Sequence, residues 1–127
     1  MGRQLLARLP ASAAALLAGD GMDDDGFETV AQVGDIGPGE LMYVAVGGEP
    51  VCLIALDGAF YALGDICTHE GASLADGQII GDELECPLHG GMYDIRTGAP
   101  TGPPVVEGAK TYRVRVVGDA IQVAKPE

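Results

Sequence analysis

The chain of 127 residues has no tryptophan, two histidines, three cysteines and only 7 lysines and arginines against 19 acidic residues. The shortage of positive charge, for a formal net charge of −12, excludes the basic footprint that phosphate backbones require. It argues equally against an anionic membrane surface. A negative surface serves solubility and favours a protein partner with a basic docking patch. Three cysteines cannot all pair, so a disulfide scaffold is excluded. No apolar run approaches the roughly 18 residues of a membrane span. The opening MGRQLLARLPASAAALLAG is broken by Pro10 and leads to no clear cleavage site, so it is not read as an export signal. A cytoplasmic location is expected.

What is present is glycine, 20 residues, with 8 prolines and 47% hydrophobic residues. That composition suits short strands joined by tight turns. Ser12 and Gly19 are a plausible N-cap and stop for a short helix, and DGMDDDG at 20–26 reads as a charged linker. Met22 is a second candidate start, with residues 1–21 then outside the native chain. From Thr29 the pattern turns to β: TVAQV at 29–33, LMYVAV at 41–46, PVCLIAL at 50–56, AFYAL at 59–63, TYRVRVV at 111–117 and AIQVA at 120–124. Gly47-Gly48, Asp57-Gly58 and Gly118-Asp119 mark hairpins between them. Tyr112, Val114 and Val116 alternate with Arg113 and Arg115, which predicts one buried and one wet face. The expected architecture is all-β: a small antiparallel β sandwich or barrel over 29–127, an N-terminal extension at 1–28, and a long excursion at about 64–92. Cys52 lies inside an almost continuous apolar run and is expected to pack in the core.

Both histidines and the other two cysteines fall in the excursion, as Cys67-Thr68-His69 and Cys86-Pro87-Leu88-His89 with 16 residues between the packets. Two thiolates and two imidazoles on two loops can bind zinc or an iron–sulfur cluster. Structural zinc motifs usually space cysteines by about two to four residues and histidines by about three to five. The interleaved order and the tight Cys-x-His favour a binuclear cluster instead. One iron would take Cys67 and Cys86, and the other His69 and His89, with the added electron on the histidine-bound iron.

CTH at 67–69 and CPLHG at 86–90 resemble the paired motifs of Rieske [2Fe–2S] proteins, and the similarity runs from about Thr29 to Ala124. The resemblance implies a Rieske fold with a cluster-binding subdomain made by two loops. Respiratory and photosynthetic members carry a disulfide at positions that correspond to Ala72 and Leu88, so no such bridge can form here. The serine of those high-potential relatives is replaced by Gly91, whereas their tyrosine is kept as Tyr93. A hydroxyl donated towards sulfur stabilises the reduced cluster, so the expected potential lies below the respiratory class. Gly71 and Gly90 are expected to let backbone N–H groups approach the sulfides, and Pro87 to fix φ beside a ligand. Leu74, Leu88, Pro103 and Pro104 are candidates for excluding water. Asp65, Glu70 and Glu85 read as solvated surface charge, the alternative being partner recognition or a negative field that disfavours reduction.

The resemblance is to the ferredoxin components of aromatic-ring-hydroxylating dioxygenases. It implies a monomeric one-electron carrier, taking electrons from a flavin-containing NAD(P)H reductase and passing them to a terminal oxygenase. With both histidines in the packets, none is left for a mononuclear 2-His-1-carboxylate iron. A nucleotide-binding glycine-rich strand–helix motif is absent. The chain is therefore expected to be a carrier and not an enzyme. The alternative is a Rieske-like small subunit of a larger oxidoreductase, such as a nitrite reductase.

Overall fold

The run Val51–Leu56 is apolar on consecutive residues, which a one-sided strand has no use for, and the fold shows why. The structure, a computed structural model, describes residues 26–68, 71–88, 90–103 and 107–125. In it the run forms most of β3 (Glu49–Leu56), which pairs antiparallel with β2 (Leu41–Val46) and β4 (Ala59–Gly64). Cys52, Ile54 and Leu56 point into one apolar cluster, and Val51, Leu53 and Ala55 into another. A strand walled on both faces must be apolar throughout.

The second cluster is closed by β1 (Phe27–Gln32) and β11 (Ala120–Ala124), which bring Ala31, Ile121 and Val123 against Val44, Val46 and Leu53. These two strands form a three-stranded sheet with β10 (Val114–Val117), in the order β10-β11-β1. The other sheet of the body adds β9 (Thr111–Tyr112) beside β4, in the order β9-β4-β3-β2. All pairings are antiparallel, and the fold is a small all-β sandwich.

The excursion builds a third sheet of its own. Four three-residue strands, β5 (Gln78–Ile80), β6 (Glu83–Glu85), β7 (Met92–Asp94) and β8 (Pro100–Gly102), run antiparallel in the order β8-β7-β6-β5. The sheet thus continues ten residues past the expected end at about 92, because the YDIRTG turn folds β8 back on β7. Leu84, Tyr93 and Ile95 press it against Cys52, Ile54 and Leu63, so the first cluster lies between the excursion and the body. Gly77, just ahead of β5, sits where a Cβ would run into the Glu85 carbonyl. That close approach holds the residue before Cys86 against the return of the first packet.

Two expectations need correction. TYRVRVV is not one alternating strand: it changes sheets at Arg113, between β9 and β10. Its phase breaks there, so Val116 is 46% exposed, while the Arg115 guanidinium lies 4.0 Å over the Phe27 ring and its Nε donates to Gln122 Oε1 at 2.7 Å. Val33 leaves the first strand for a short 3₁₀ turn, Val33–Asp35, held by the Gln32 N–H donating to the Asp35 carboxylate. The helix expected from Ser12 to Gly19 lies outside the described residues.

Candidate metal centre

Each cysteine packet is closed by the same backbone geometry. The Cys67 N–H donates to the Ala72 carbonyl at 2.8 Å, and its carbonyl accepts from the Gly71 N–H at 2.9 Å. The Cys86 N–H donates to the Gly91 carbonyl at 2.8 Å, and its carbonyl accepts from the Gly90 N–H at 3.3 Å. In both packets, then, the cysteine bonds the residues four and five positions on. Gly71 and Gly90 take φ of +77° and +75° to make the turn, a conformation that strains other residues by about 1–3 kcal/mol. The Gly71 and Gly90 N–H groups themselves go to the cysteine carbonyls, where they shape the loops.

Both closed loops place their cysteine inward. Cys67 and Cys86 are 3% and 2% exposed, belong to the same core cluster, and are not joined by a disulfide. Two unbridged thiols on matching loops at one end of the core fit a pair of thiolate ligands to one soft metal centre. His69, His89, Glu70 and Pro104 lie outside the described residues. Among the described residues no group of three or more His, Cys, Asp or Glu side chains gathers around a metal site.

Tyr93 is buried and its hydroxyl donates to Cys67 Sγ at 3.4 Å. It also accepts from the Thr68 N–H at 2.8 Å and lies 2.8 Å from Thr68 Oγ1. Burial first, then donation to Cys67, push the phenol above its ordinary pKa range, so it stays protonated and available as a donor. Leu74 is fully buried in the same core cluster as the two cysteines. Leu88 is 55% exposed, and Pro103 is also at the surface, so neither is part of the packed core as Leu74 is. Pro87 is exposed at the second loop, and Ala72 packs against the core cluster from the first.

Asp65 corrects the sequence reading most sharply, being 1% exposed instead of solvated. Its Oδ2 accepts from the Ser73 hydroxyl at 2.6 Å and its Oδ1 from the Ala75 N–H at 2.9 Å. Its backbone carbonyl accepts from the Leu74 N–H at 2.7 Å, and its own N–H donates to the Pro50 carbonyl at 3.1 Å. One residue thus fastens the exit of β4 to both the body and the far side of the first packet. Glu85 accepts from the Gln78 side chain across β5 and β6 at the surface. Asp65, Ser73, Thr68 and Glu107 were not singled out as structural partners from sequence. No local pattern distinguishes a carboxylate that meets a hydroxyl eight residues on.

Cys52 is fully buried, and burial, then the Asp65 charge, push its thiol up to about 12. It is core and not a ligand. Cys52→Ala is expected to cost about 1–2 kcal/mol by urea unfolding while leaving the cluster spectrum unchanged. Because this thiol ionises in the unfolded chain from about pH 9 but only near pH 12 when folded, its contribution is present below pH 9 and lost as pH rises through that window.

Comparison with known proteins accords with this geometry. A family model described as the Rieske [2Fe–2S] domain matches residues 26–119. The ferredoxin component of the naphthalene 1,2-dioxygenase system of Pseudomonas aeruginosa is 37% identical over 89 residues, 70% of this chain and 86% of its own. The biphenyl dioxygenase ferredoxin subunit of a Pseudomonas species is 37% identical over 98 residues, 76% of this chain and 90% of its own. Among solved structures, the ferredoxin of carbazole 1,9a-dioxygenase from Nocardioides aromaticivorans superposes with a TM-score of 0.76 at 36% identity, covering 79% of this chain and 98% of that one. The chain belongs to the Rieske [2Fe–2S] family. It is an electron-carrying ferredoxin, and a [2Fe–2S] cluster with two-cysteine, two-histidine ligation is its cofactor.

Proposed function

We propose that this chain carries single electrons from a flavin-containing NAD(P)H reductase to the terminal oxygenase of an aromatic-ring dioxygenase system. The observation that carries the reading is the single Cys/His set of the chain. Cys67 and Cys86 would hold one iron and His69 and His89 the other, which leaves no histidine for a separate, oxygen-activating iron. Relatives matched over 86% and 98% of their own lengths are ferredoxins of such systems, which supports the same role here. The carrier works as a cytoplasmic monomer. No helix of the described residues is long and apolar enough to cross a membrane.

The cluster supplies one reversible electron; the protein supplies its setting. The apolar packing of Leu74, Leu84 and Ile95 around the two cysteines lowers the local dielectric on their side of the site. Tyr93 donates to Cys67 Sγ, which favours the reduced, more negative state. Gly91, buried behind the second loop, has no hydroxyl to add. These terms set a midpoint in the lower part of the roughly −150 to +300 mV span of Rieske centres. Tyr93→Phe is expected to lower the midpoint, read by a redox titration at constant pH; an unchanged value would remove the tyrosine from the account.

The role itself is tested by reconstitution. Mixed with an NAD(P)H-dependent flavin reductase and the oxygenase of a dioxygenase system, the chain should be reduced by the first and support product formation by the second. Reduction without any transfer to an oxygenase would point to a different electron acceptor.

A further inference from the structure

Thr68, the residue between Cys67 and His69, occupies a junction that loop closure does not require. Its hydroxyl has a single proton and two neighbours, the Glu107 carbonyl at 2.9 Å and the Tyr93 hydroxyl at 2.8 Å. A carbonyl can only accept, so the threonine proton goes to Glu107. In the 2.8 Å pair Tyr93 is then the donor and Thr68 Oγ1 the acceptor. The tyrosine likewise has one proton, and its other acceptor is Cys67 Sγ at 3.4 Å. The Thr68 N–H, donating to the same phenolic oxygen, holds the ring oxygen at this fork.

We propose that Thr68 is a positioning residue that sets the reduction potential by competing with Cys67 for the Tyr93 proton. The inference rests on the reading of Cys67 as a cluster ligand. A proton shared with Thr68 Oγ1 is only partly given to sulfur, so the reduced state is stabilised less than a full O–H···S bond would stabilise it. The Glu107 carbonyl matters because it occupies the threonine proton and leaves Oγ1 as an acceptor. With a reduced cluster bound, the Cys67 sulfur would be the better acceptor and the Tyr93 proton would shift towards it from Thr68.

Thr68→Val keeps the shape and the backbone N–H but removes the competing oxygen. In holoprotein it should raise the midpoint, increasing the reduced-to-oxidised ratio at the wild-type midpoint about three- to tenfold, the upper limit being about 59 mV for one electron. Thr68→Ser should restore the wild-type value. In a Tyr93→Phe background Thr68→Val should shift nothing, since no proton is left to redistribute. If valine prevents cluster assembly, Thr68→Ala provides the same comparison. A lowered or unchanged midpoint in Thr68→Val overturns the inference. So does a rise that persists with Phe at position 93, which would mean that a loosened loop had admitted water. Absence of a Rieske signal from metal-loaded wild-type protein would overturn the ligand reading as well; the other two failures overturn this inference alone.

Discussion

Replacement of Cys86 by serine is expected to abolish the cofactor while leaving the β body folded. Cys86 heads the second packet at 2% exposure, next to Leu84 and Tyr93 in the core cluster, so no solvent-borne ligand can reach its place. Serine fits the space but offers a harder, far less acidic donor than a thiol. Cluster content per chain should fall by at least about tenfold, the lower end of what loss of even an outer partner costs a metal site. Visible colour and the electron paramagnetic resonance signal should vanish together. The far-ultraviolet circular dichroism should persist, because the second apolar cluster around Leu53, Val46 and Ile121 does not include either packet. Cys52→Ala is the matched control, since it removes a buried thiol from the same cluster without touching the centre. Equal cluster loss from both substitutions would mean that Cys86 acts through packing alone.

The second large effect is expected at Asp65. Asp65→Ala strips the Ser73 hydroxyl and the Ala75 N–H of their acceptor in a site closed to water. Loss of a charged acceptor with donors left unpaired costs about 2–4 kcal/mol. Asp65→Asn keeps an oxygen for Ala75 and an amide that donates to Ser73, so its cost should be nearer about 1 kcal/mol. Urea unfolding read by backbone dichroism measures both. Read by cluster absorbance, the alanine variant should bleach at lower urea than it unfolds, because the first packet is fastened through Asp65 and the second apolar cluster is not. An alanine variant within about 0.5 kcal/mol of wild type would show that the buried carboxylate is not the fastening.

The legibility of this protein follows the range of its interactions. The packets could be read because their geometry is local: a cysteine and a glycine four residues on enclose each loop, and both lie within one short motif. The hairpins at Gly47-Gly48 and Asp57-Gly58 were readable for the same reason, with Val46 opposite Glu49 and Leu56 opposite Ala59. The two-faced strand β3 was visible as an uninterrupted apolar run, although the run itself does not say what covers each side. What escaped depends on partners distant in the chain. Thr68 meets Tyr93 and Glu107, 25 and 39 positions away, and nothing near Thr68 announces either. Asp65 looked like any acidic residue at a strand end, since its burial is created by the fold of the excursion over it. The sheet change at Arg113 was hidden because the alternation TYRVRVV is as regular across the break as on either side.

A mixed-ligand cluster held by two matched loops, with its potential tuned downward for a carrier, has a distinct spectroscopic and redox signature. Anaerobic protein titrated with reductant under electron paramagnetic resonance detection tests it most directly. A rhombic signal with average g below the free-electron value is expected on one-electron reduction, with a midpoint in the lower part of the Rieske span. A midpoint near the top of that span would contradict the tuning ascribed to Gly91 and to the missing disulfide. Metal-loaded protein with no such signal would contradict the cluster itself and leave a mononuclear metal held by the same four side chains.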